Sequence, residues 1–149
     1  MQRLSAGPLT DLLQPGSELW LDGGHNPAGA AALADTLASL EERSPKPLVL
    51  VVGLMGQKDA RGYLSFFKGL AASVVAVPIP GAHEAPHAPE NIASIASALG
   101  FSASTAPDVT AAVRRIEAVG PARRILICGS LYLAGHVLAL QSGVSVQSN

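Results

Sequence analysis

Apolar residues along this chain fall into two alternating patterns, and each pattern predicts a different kind of element. Five short runs, several of them continuously apolar, have the length and composition of buried strands. Between these runs, apolar residues recur at i, i+3, i+4 and i+7, which is the spacing of a helix that buries one face. The predicted strands are 19–22, 48–54, 74–79, 101–105 and 124–128. Such alternation of strands and helices favours a parallel sheet that is covered by helices.

Five helices are predicted between or after these strands. The first, 28–40, is rich in alanine, and the last, 131–140, follows a serine. The other three are predicted from apolar stripes at Tyr63, Phe66, Phe67 and Leu70, at Ile92, Ile95, Ala96 and Leu99, and at Val109, Val113, Ile116 and Val119. We therefore predict an α/β fold, a Rossmann-like three-layer domain with a mostly parallel sheet of five or six strands and helices on both faces.

The chain divides into one domain and two short flanking segments. Residues 1–17 contain two Gly/Pro pairs and are interpreted as a lead-in or linker, with room for a short antiparallel strand at 2–5. Residues 18–140 hold the predicted strands and helices of the domain. Residues 141–149 are small and polar, and we predict a frayed tail there. A chain of this length is able to bury a substantial core without a disulfide.

Composition excludes several classes of function. The formal net charge is -1 and aromatic residues make up 4% of the chain, so neither a basic surface nor base stacking supports nucleic-acid binding. No apolar run approaches the roughly 18 residues of a membrane span, and we expect no membrane association. Cys128 is the single cysteine, which excludes an intrachain disulfide and fits a reducing compartment. The cytoplasm is the expected location.

The strand-to-helix turn at 22–27 is the most informative stretch. Asn26 is suited to cap the helix and Pro27 to begin it, and two glycines before them permit close approach of the backbone. Free N–H groups at a helix start favour an anion or a polar ligand, Asp22 is able to accept from sugar hydroxyls, and His25 adds a titratable donor. The residue types alone leave open a purely structural turn in which Asn26 caps and Asp22 binds local backbone donors.

Two other turns carry polar residues after predicted strands. Lys58 and Asp59 follow the second strand, where the alternative to a functional role is a solvated surface pair. Ser130 and Tyr132 follow the last strand, and the alternatives there are helix capping and packing. Because the carboxyl ends of parallel strands face the same edge of a sheet, we expect the polar turns to meet. We expect neither Lys58 nor Ser130 to support the core.

The sequence contains none of the common metal-binding or phosphate-binding motifs. His83 and His87 are spaced H-x-x-x-H, but they lie in the proline-rich stretch 78–89, which does not place both rings on one face. We assign no metal site. The sequence also has no G-x-x-x-x-G-K-[ST] phosphate loop.

Three segments, in order, resemble the C-terminal domain of the Mur ligase superfamily, and within it the folylpolyglutamate synthase/dihydrofolate synthase family. They are D-G-G-H-N-P at 22–27, V-V-G-L-M-G-Q-K-D at 51–59 and I-C-G-S-L-Y-L-A-G at 127–135. The resemblance implies an ATP-dependent ligase that adds glutamate to folate or dihydropteroate through an acyl phosphate. It implies that the triphosphate, with Mg²⁺, binds mainly to a central domain of the same polypeptide. We therefore expect this chain alone to be inactive.

The resemblance also implies roles for residues of the three turns. The implied site residues are Asp22, His25 and Asn26 for ATP, His25 and Lys58 for catalysis, and Lys58, Ser130 and Tyr132 for glutamate. Two alternatives stay open. One is the C-terminal domain of another Mur-type amino-acid ligase, such as a peptidoglycan ligase. The other is a free-standing Rossmann-like binding module that performs no chemistry.

Overall fold

The computed structural model describes residues 1–143, which form strands and helices in the predicted alternation. The strands are β1 (Gln2–Leu4), β2 (Glu18–Leu21), β3 (Leu48–Val52), β4 (Ser73–Ala76), β5 (Ser102–Thr105) and β6 (Arg124–Cys128). The helices are α1 (Pro27–Arg43), α2 (Ala60–Ser65), α3 (Pro89–Ala98), α4 (Val109–Glu117) and α5 (Leu131–Gln141), with a 3-10 turn at Thr10–Leu12. Most of the predicted tail, from residue 144 onward, lies outside the described residues.

The strands form one sheet in the order β1-β2-β6-β3-β4-β5. All neighbouring pairs are parallel except β1 with β2, so the prediction of a mostly parallel sheet is confirmed. The last strand of the chain lies at the centre, where Leu126 is paired with Trp20 on one side and with Leu50 on the other. Since β2 and β3 are therefore held apart by β6, a crevice is expected at the carboxyl edge of these three strands.

The two faces of the sheet are covered by different helices, as the three-layer prediction requires. Leu48, Leu50 and Val52 of β3 pack in one apolar cluster with residues of α1, α2 and α3. Val49 and Val51 point to the opposite face, where they pack with residues of α4 and α5. Successive side chains of a strand point to opposite faces, so a strand that is apolar throughout is buried on both sides.

Two predicted helical stripes extend too far. Phe66 was expected on the buried face of the second helix, but α2 ends at Ser65 and the Phe66 side chain is 42% exposed. Val119 was expected in the stripe of the fourth helix, but α4 ends at Glu117 and Val119 is 68% exposed. Both predictions are wrong because the residues lie beyond the C-terminal ends of their helices, and apolar spacing alone does not predict where a helix ends.

A buried arginine joins three elements at the edge opposite the carboxyl ends of the strands. Arg124, at the start of β6, is 2% exposed, and its Nε donates to Oε2 of Glu18 at 2.9 Å. Its guanidinium also donates to the carbonyl oxygen of Ser44 at 2.9 Å and lies 3.5 Å from a carboxylate oxygen of Glu41. The start of β6 is thereby fixed to β2 and to the end of α1.

The charge of Glu18 is stabilised by this arrangement. Burial by itself raises the pKa of Glu18, but hydrogen bonds from Trp20 and Arg124, together with the charges of Arg124 and Arg3, outweigh burial. The pKa of the carboxyl group is therefore lowered from its ordinary value of 4.5.

Candidate functional site

A cavity of about 220 Å³ opens at the carboxyl edge of the sheet, where the turns after β2, β3 and β6 meet. Of the predicted site residues, those that line it are His25, Lys58, Ser130 and Tyr132. Its remaining lining residues are Met55, Gln57, Glu84 and Leu131, which the sequence analysis did not single out. Residues from four separated segments of the chain therefore share one small site.

Glycines allow the central turns to approach each other. Gly129 has a φ of +110°, and a Cβ at this position would collide with the carbonyl oxygen of Gly53. The amide of Gly53 donates to the carbonyl oxygen of Cys128 at 3.2 Å. Because L side chains rarely adopt a φ in this range, glycine at position 129 permits the turn after β6 to lie directly on the turn after β3.

Ser130 has a structural role in addition to its position in the cavity. The residue is 1% exposed, and its hydroxyl oxygen accepts from the backbone amides of Tyr132 at 3.1 Å and Leu133 at 3.4 Å. It is therefore the N-cap of α5, which is the structural role that the sequence left open for it. The hydroxyl hydrogen is not used by these two bonds and is available to a ligand.

Asp22 lies beside this cavity rather than in it. Its Oδ2 accepts from the amide of Gly24 at 2.8 Å, and its Oδ1 lies 3.0 Å from the α-amino nitrogen of Met1. A neighbouring hollow of about 320 Å³ is lined by Met1, Asp22, Gly24, Gly29, Ala32, Leu33 and Thr36. The carboxylate of Asp22 and the imidazole of His25, three residues apart, thus line two adjacent hollows.

Asn26 is occupied at the start of α1. Its Oδ1 accepts from the amide of Gly29 at 2.9 Å, and its side chain lines neither of the two hollows. The capping role expected from the residue type is therefore confirmed. Its implied contact with ATP stays a prediction.

The proline-rich stretch 78–89 is anchored to the turn that carries Lys58. The amide of Gly56 donates to the carbonyl oxygen of Ala85 at 3.0 Å, and the amide of His87 donates to that of Leu54 at 2.8 Å. A Cβ at Gly56 would lie 2.6 Å from the Ala85 oxygen, so glycine is needed for this contact. A glycine is a sequence signal of close backbone approach, but it does not reveal which segment approaches.

His87 is held by its two ring nitrogens. Its Nε2 lies 2.8 Å from the carbonyl oxygen of Lys58, and its Nδ1 lies 2.9 Å from Nδ2 of Asn91. A carbonyl accepts and an amide nitrogen donates, so this arrangement requires the tautomer with hydrogen on Nε2. Among residues 1–143, no group of three or more His, Cys, Asp or Glu side chains is arranged to hold a metal ion.

The charged groups of the cavity are not paired with each other. Lys58 is half-buried, and within the described part of the chain its ammonium has no carboxylate within 4.0 Å. Glu84 instead accepts a hydrogen bond from Nε2 of Gln57 at 2.7 Å. A cation and an anion therefore line the same small cavity while remaining free to bind a ligand.

Cys128 and Tyr63 lie in the core behind the site. Burial raises the pKa of the Cys128 thiol to about 12, and the Asp22 carboxylate adds to this shift. Burial likewise raises the pKa of Tyr63 well above its ordinary value of 10.0. Both groups are neutral at physiological pH, so neither supplies a thiolate or phenolate nucleophile to the site.

Comparison with known proteins gives one family and several similar structures. The family model described as Mur ligase, glutamate ligase domain, matches residues 12–131. A Mycobacterium tuberculosis folylpolyglutamate synthase complexed with ADP is 27% identical, with a TM-score of 0.70 over 90% of this chain and 32% of that chain. A Yersinia pestis bifunctional folylpolyglutamate synthase/dihydrofolate synthase, complexed with AMPPNP and Mn ion, is 26% identical, with a TM-score of 0.69 over 93% of this chain and 30% of that chain.

Escherichia coli FolC in complex with ADP has a TM-score of 0.71 at 21% identity, over 89% of this chain and 30% of that chain, and at this identity it supports the fold alone. The chain spans about a third of the length of these solved structures. No curated protein matches it. Within residues 1–143, no helix has both the length and the apolar composition that crossing a bilayer requires.

Proposed function

The chain belongs to the Mur ligase glutamate ligase domain family, and from this membership we propose that it is the C-terminal domain of an ATP-dependent ligase that joins glutamate to folate or dihydropteroate. The observation that carries the proposal is the shared cavity. His25, Lys58 and Ser130 come from three turns that are distant in sequence, and they line one space of about 220 Å³. A site for a small polar ligand at the carboxyl edge of an open parallel sheet is typical of this class of fold.

In the proposed reaction, the γ-phosphoryl group of ATP is transferred to a carboxylate of the folate substrate, which gives an acyl phosphate and ADP. The ammonium group of glutamate loses a proton to solvent, the resulting amine attacks the acyl carbon, an amide bond forms, and inorganic phosphate leaves. The contribution of this domain is to hold glutamate and one side of the nucleotide so that the reactants are aligned and shielded from water.

The cavity suits the carboxylates of glutamate. Lys58 supplies a cation without a carboxylate within 4.0 Å in residues 1–143. Ser130 supplies a hydroxyl hydrogen at the start of α5, where the helix dipole favours negative charge. Tyr132, which is 51% exposed at the rim, adds a second hydroxyl group. We assign the side chains of Lys58, Ser130 and Tyr132 to glutamate binding.

The neighbouring hollow suits the sugar of a nucleotide. Asp22 presents its carboxylate to a hollow that is lined by small residues, among them Gly24 and Gly29. Its Oδ1, which faces the amino nitrogen of Met1 in this structure, is the oxygen that we assign to ribose hydroxyls. His25 lies on the glutamate side of the same turn. We propose that ATP lies along Asp22, with His25 at the junction where the nucleotide and the amino acid meet. The further contact with Asn26 is proposed from the family resemblance alone.

The remaining parts of the active site are assigned to other segments of the polypeptide. We propose that a central ATPase domain holds the triphosphate and Mg²⁺, as the family resemblance implies. The solved relatives that contain ADP, or AMPPNP with Mn ion, support the use of a nucleotide and a divalent metal ion by the full-length enzyme. The 149-residue chain alone is then expected neither to hydrolyse ATP nor to form an amide.

A cytoplasmic location is proposed from the single, buried cysteine.

The first test is the reading frame upstream of the codon for Gln2, which the proposal expects to encode a phosphate loop. The second is glutamate-dependent phosphate release by the encoded protein with dihydropteroate or a reduced folate. Lys58→Met is expected to raise the KM for glutamate about tenfold or more, because a charge-assisted hydrogen bond is lost. The matched control is Lys68→Met, which removes an exposed lysine outside the cavity. Equal glutamate KM values for both variants would contradict the assignment of Lys58.

The two alternatives give different results in the same experiments. Another Mur-type ligase would release phosphate with a peptidoglycan precursor but not with a pteridine substrate. A free-standing binding module would have no phosphate loop in its gene and would show no ligation with either class of substrate.

A further inference from the structure

The cavity that Lys58 lines is also lined by one carboxylate, that of Glu84. We propose that Glu84 binds the ammonium group of the incoming amino acid and thereby makes the cavity selective for a zwitterion over a plain dicarboxylate. This inference rests on the proposed function, because it concerns the amino-acid substrate of the same site.

The position of Glu84 is fixed relative to Lys58. The residues directly after it are joined to the turn after β3 by a backbone bridge between Met55 and Pro86 and by the hydrogen bond from Gly56 to Ala85. The Glu84 carboxylate itself accepts from Gln57 at 2.7 Å. The segment that carries the anion and the turn that carries the cation therefore form one unit, although Lys58 and Glu84 lie 26 positions apart in the sequence.

The charges of the cavity match the charges of an amino acid. Lys58 and Glu84 both line the space, yet they form no ion pair within 4.0 Å. A small cavity that is lined by one positive and one negative side chain, unpaired with each other, is complementary to a ligand that carries both charges. The volume of about 220 Å³ is below the roughly 300–1,000 Å³ of sites for drug-sized ligands, and so suits a ligand of amino-acid size.

Orientation follows from this complementarity. With its carboxylates directed to Lys58 and to the start of α5, a bound glutamate turns its ammonium group toward Glu84. The hydrogen bond that Gln57 donates leaves other acceptor positions of the Glu84 carboxylate unused, because an ionised carboxylate accepts several hydrogen bonds. Glutarate has the same two carboxylates but lacks the ammonium group, so it gains nothing from Glu84.

The experiment is an NMR titration of the 149-residue chain with L-glutamate and, separately, with glutarate. Glu84→Gln keeps the size of the side chain and an acceptor for Gln57 but removes the charge. It is expected to weaken L-glutamate binding about tenfold. Glutarate binding is expected to stay the same or to become tighter, because a negative charge beside a dianion is removed. Lys58→Met is expected to weaken the binding of both L-glutamate and glutarate. The control variant, Glu42→Gln, removes an exposed carboxylate on α1 and is expected to change neither affinity.

The outcomes separate this inference from the proposed function. If the unaltered chain binds L-glutamate through Lys58 and Glu84→Gln binds it equally well, the role of Glu84 is overturned while the glutamate site stands. If Glu84→Gln weakens both ligands equally, the carboxylate acts on the shape of the cavity and selectivity for the ammonium group is overturned. If the unaltered chain binds neither ligand, both this inference and the assignment of glutamate to the cavity are overturned.

Discussion

The imidazole Nε2 of His87 lies 2.8 Å from the backbone carbonyl oxygen of Lys58, and this hydrogen bond joins the start of α3 to the cationic turn of the candidate site. The other ring nitrogen accepts from Asn91, one turn into α3. Lys58 is thus positioned by a residue that does not line the cavity. His87 has the sequence spacing of a metal-binding pair with His83, but in the structure each of its ring nitrogens has a hydrogen-bond partner within the protein.

Replacement of His87 by alanine is expected to lower the free energy of unfolding by about 1 kcal/mol, because a part-buried hydrogen bond is lost. Urea denaturation measures this change. Amide hydrogen exchange at Gly56 is expected to accelerate in the same variant, since the anchored loop opens more readily. His87→Gln keeps a donor near the position of Nε2 and is expected to recover part of both effects. Unchanged exchange at Gly56 in His87→Ala would show that the backbone bonds alone hold the loop.

Replacement of Ser130 by alanine is expected to destabilise the fold by about 1 kcal/mol, within the range of roughly 0.5–2 kcal/mol for a lost N-cap. The Ser130 hydroxyl accepts from two amides in the first turn of α5, and alanine leaves them unsatisfied. The matched control is Ser97→Ala on the exposed surface of α3, for which no loss is expected. Chemical denaturation compares the two. A Ser130→Ala variant as stable as Ser97→Ala would contradict the capping role.

Ser130→Ala is expected to change both the stability of the fold and the KM for glutamate. A rise in the glutamate KM of Ser130→Ala combines the loss of a ligand contact with a weakened start of α5. Lys58→Met does not carry this ambiguity, because among the described hydrogen bonds only backbone atoms of Lys58 take part. The lysine variant is therefore the cleaner test of glutamate binding.

The layers of the fold could be predicted from local sequence. The same holds for the edge of the sheet at which the candidate site lies. Continuous apolar runs such as 48–52 occur where both faces of a strand are buried, and helical stripes mark the covering layers. The polar turns after β2, β3 and β6 were expected to meet because parallel strands end at one edge. His25, Lys58 and Ser130 were placed on that basis, and they line one cavity.

The central position of β6 and the site role of the loop before α3 were not predictable in the same way. No local pattern indicates that the last strand inserts between the first parallel strand and β3, since the order follows from packing between distant segments. Glu84 lies in a stretch without periodicity, and its position depends on backbone hydrogen bonds to residues about thirty positions earlier. Phe66 and Val119 were misplaced because helix ends depend on caps and turns more than on apolar spacing.

Truncation of Arg124 to alanine is expected to cost about 3–5 kcal/mol, because it leaves the carboxylate of Glu18 largely buried without its main partner. The double variant Arg124→Met with Glu18→Leu removes both charges and is expected to be much less destabilised than Arg124→Ala. Arg114→Ala, on the exposed face of α4, is the control and is expected to change stability by less than about 0.5 kcal/mol. Urea denaturation of the four proteins separates these cases. Equal losses for Arg124→Ala and Arg114→Ala would show that the buried ion pair contributes no stability.

The pH dependence of stability provides a second measurement of the same ion pair. The pKa of Glu18 is lower in the folded chain than its ordinary value of 4.5, so the folded state favours the ionised carboxylate. The stabilisation is therefore complete above that ordinary value and is lost as the pH falls through the folded-state pKa. Urea denaturation from neutral pH downward is expected to show this loss in the unaltered chain, and Glu18→Gln is expected to show a smaller one. If both proteins lose stability in parallel over this range, other carboxylates account for the acid sensitivity and Glu18 does not contribute to it.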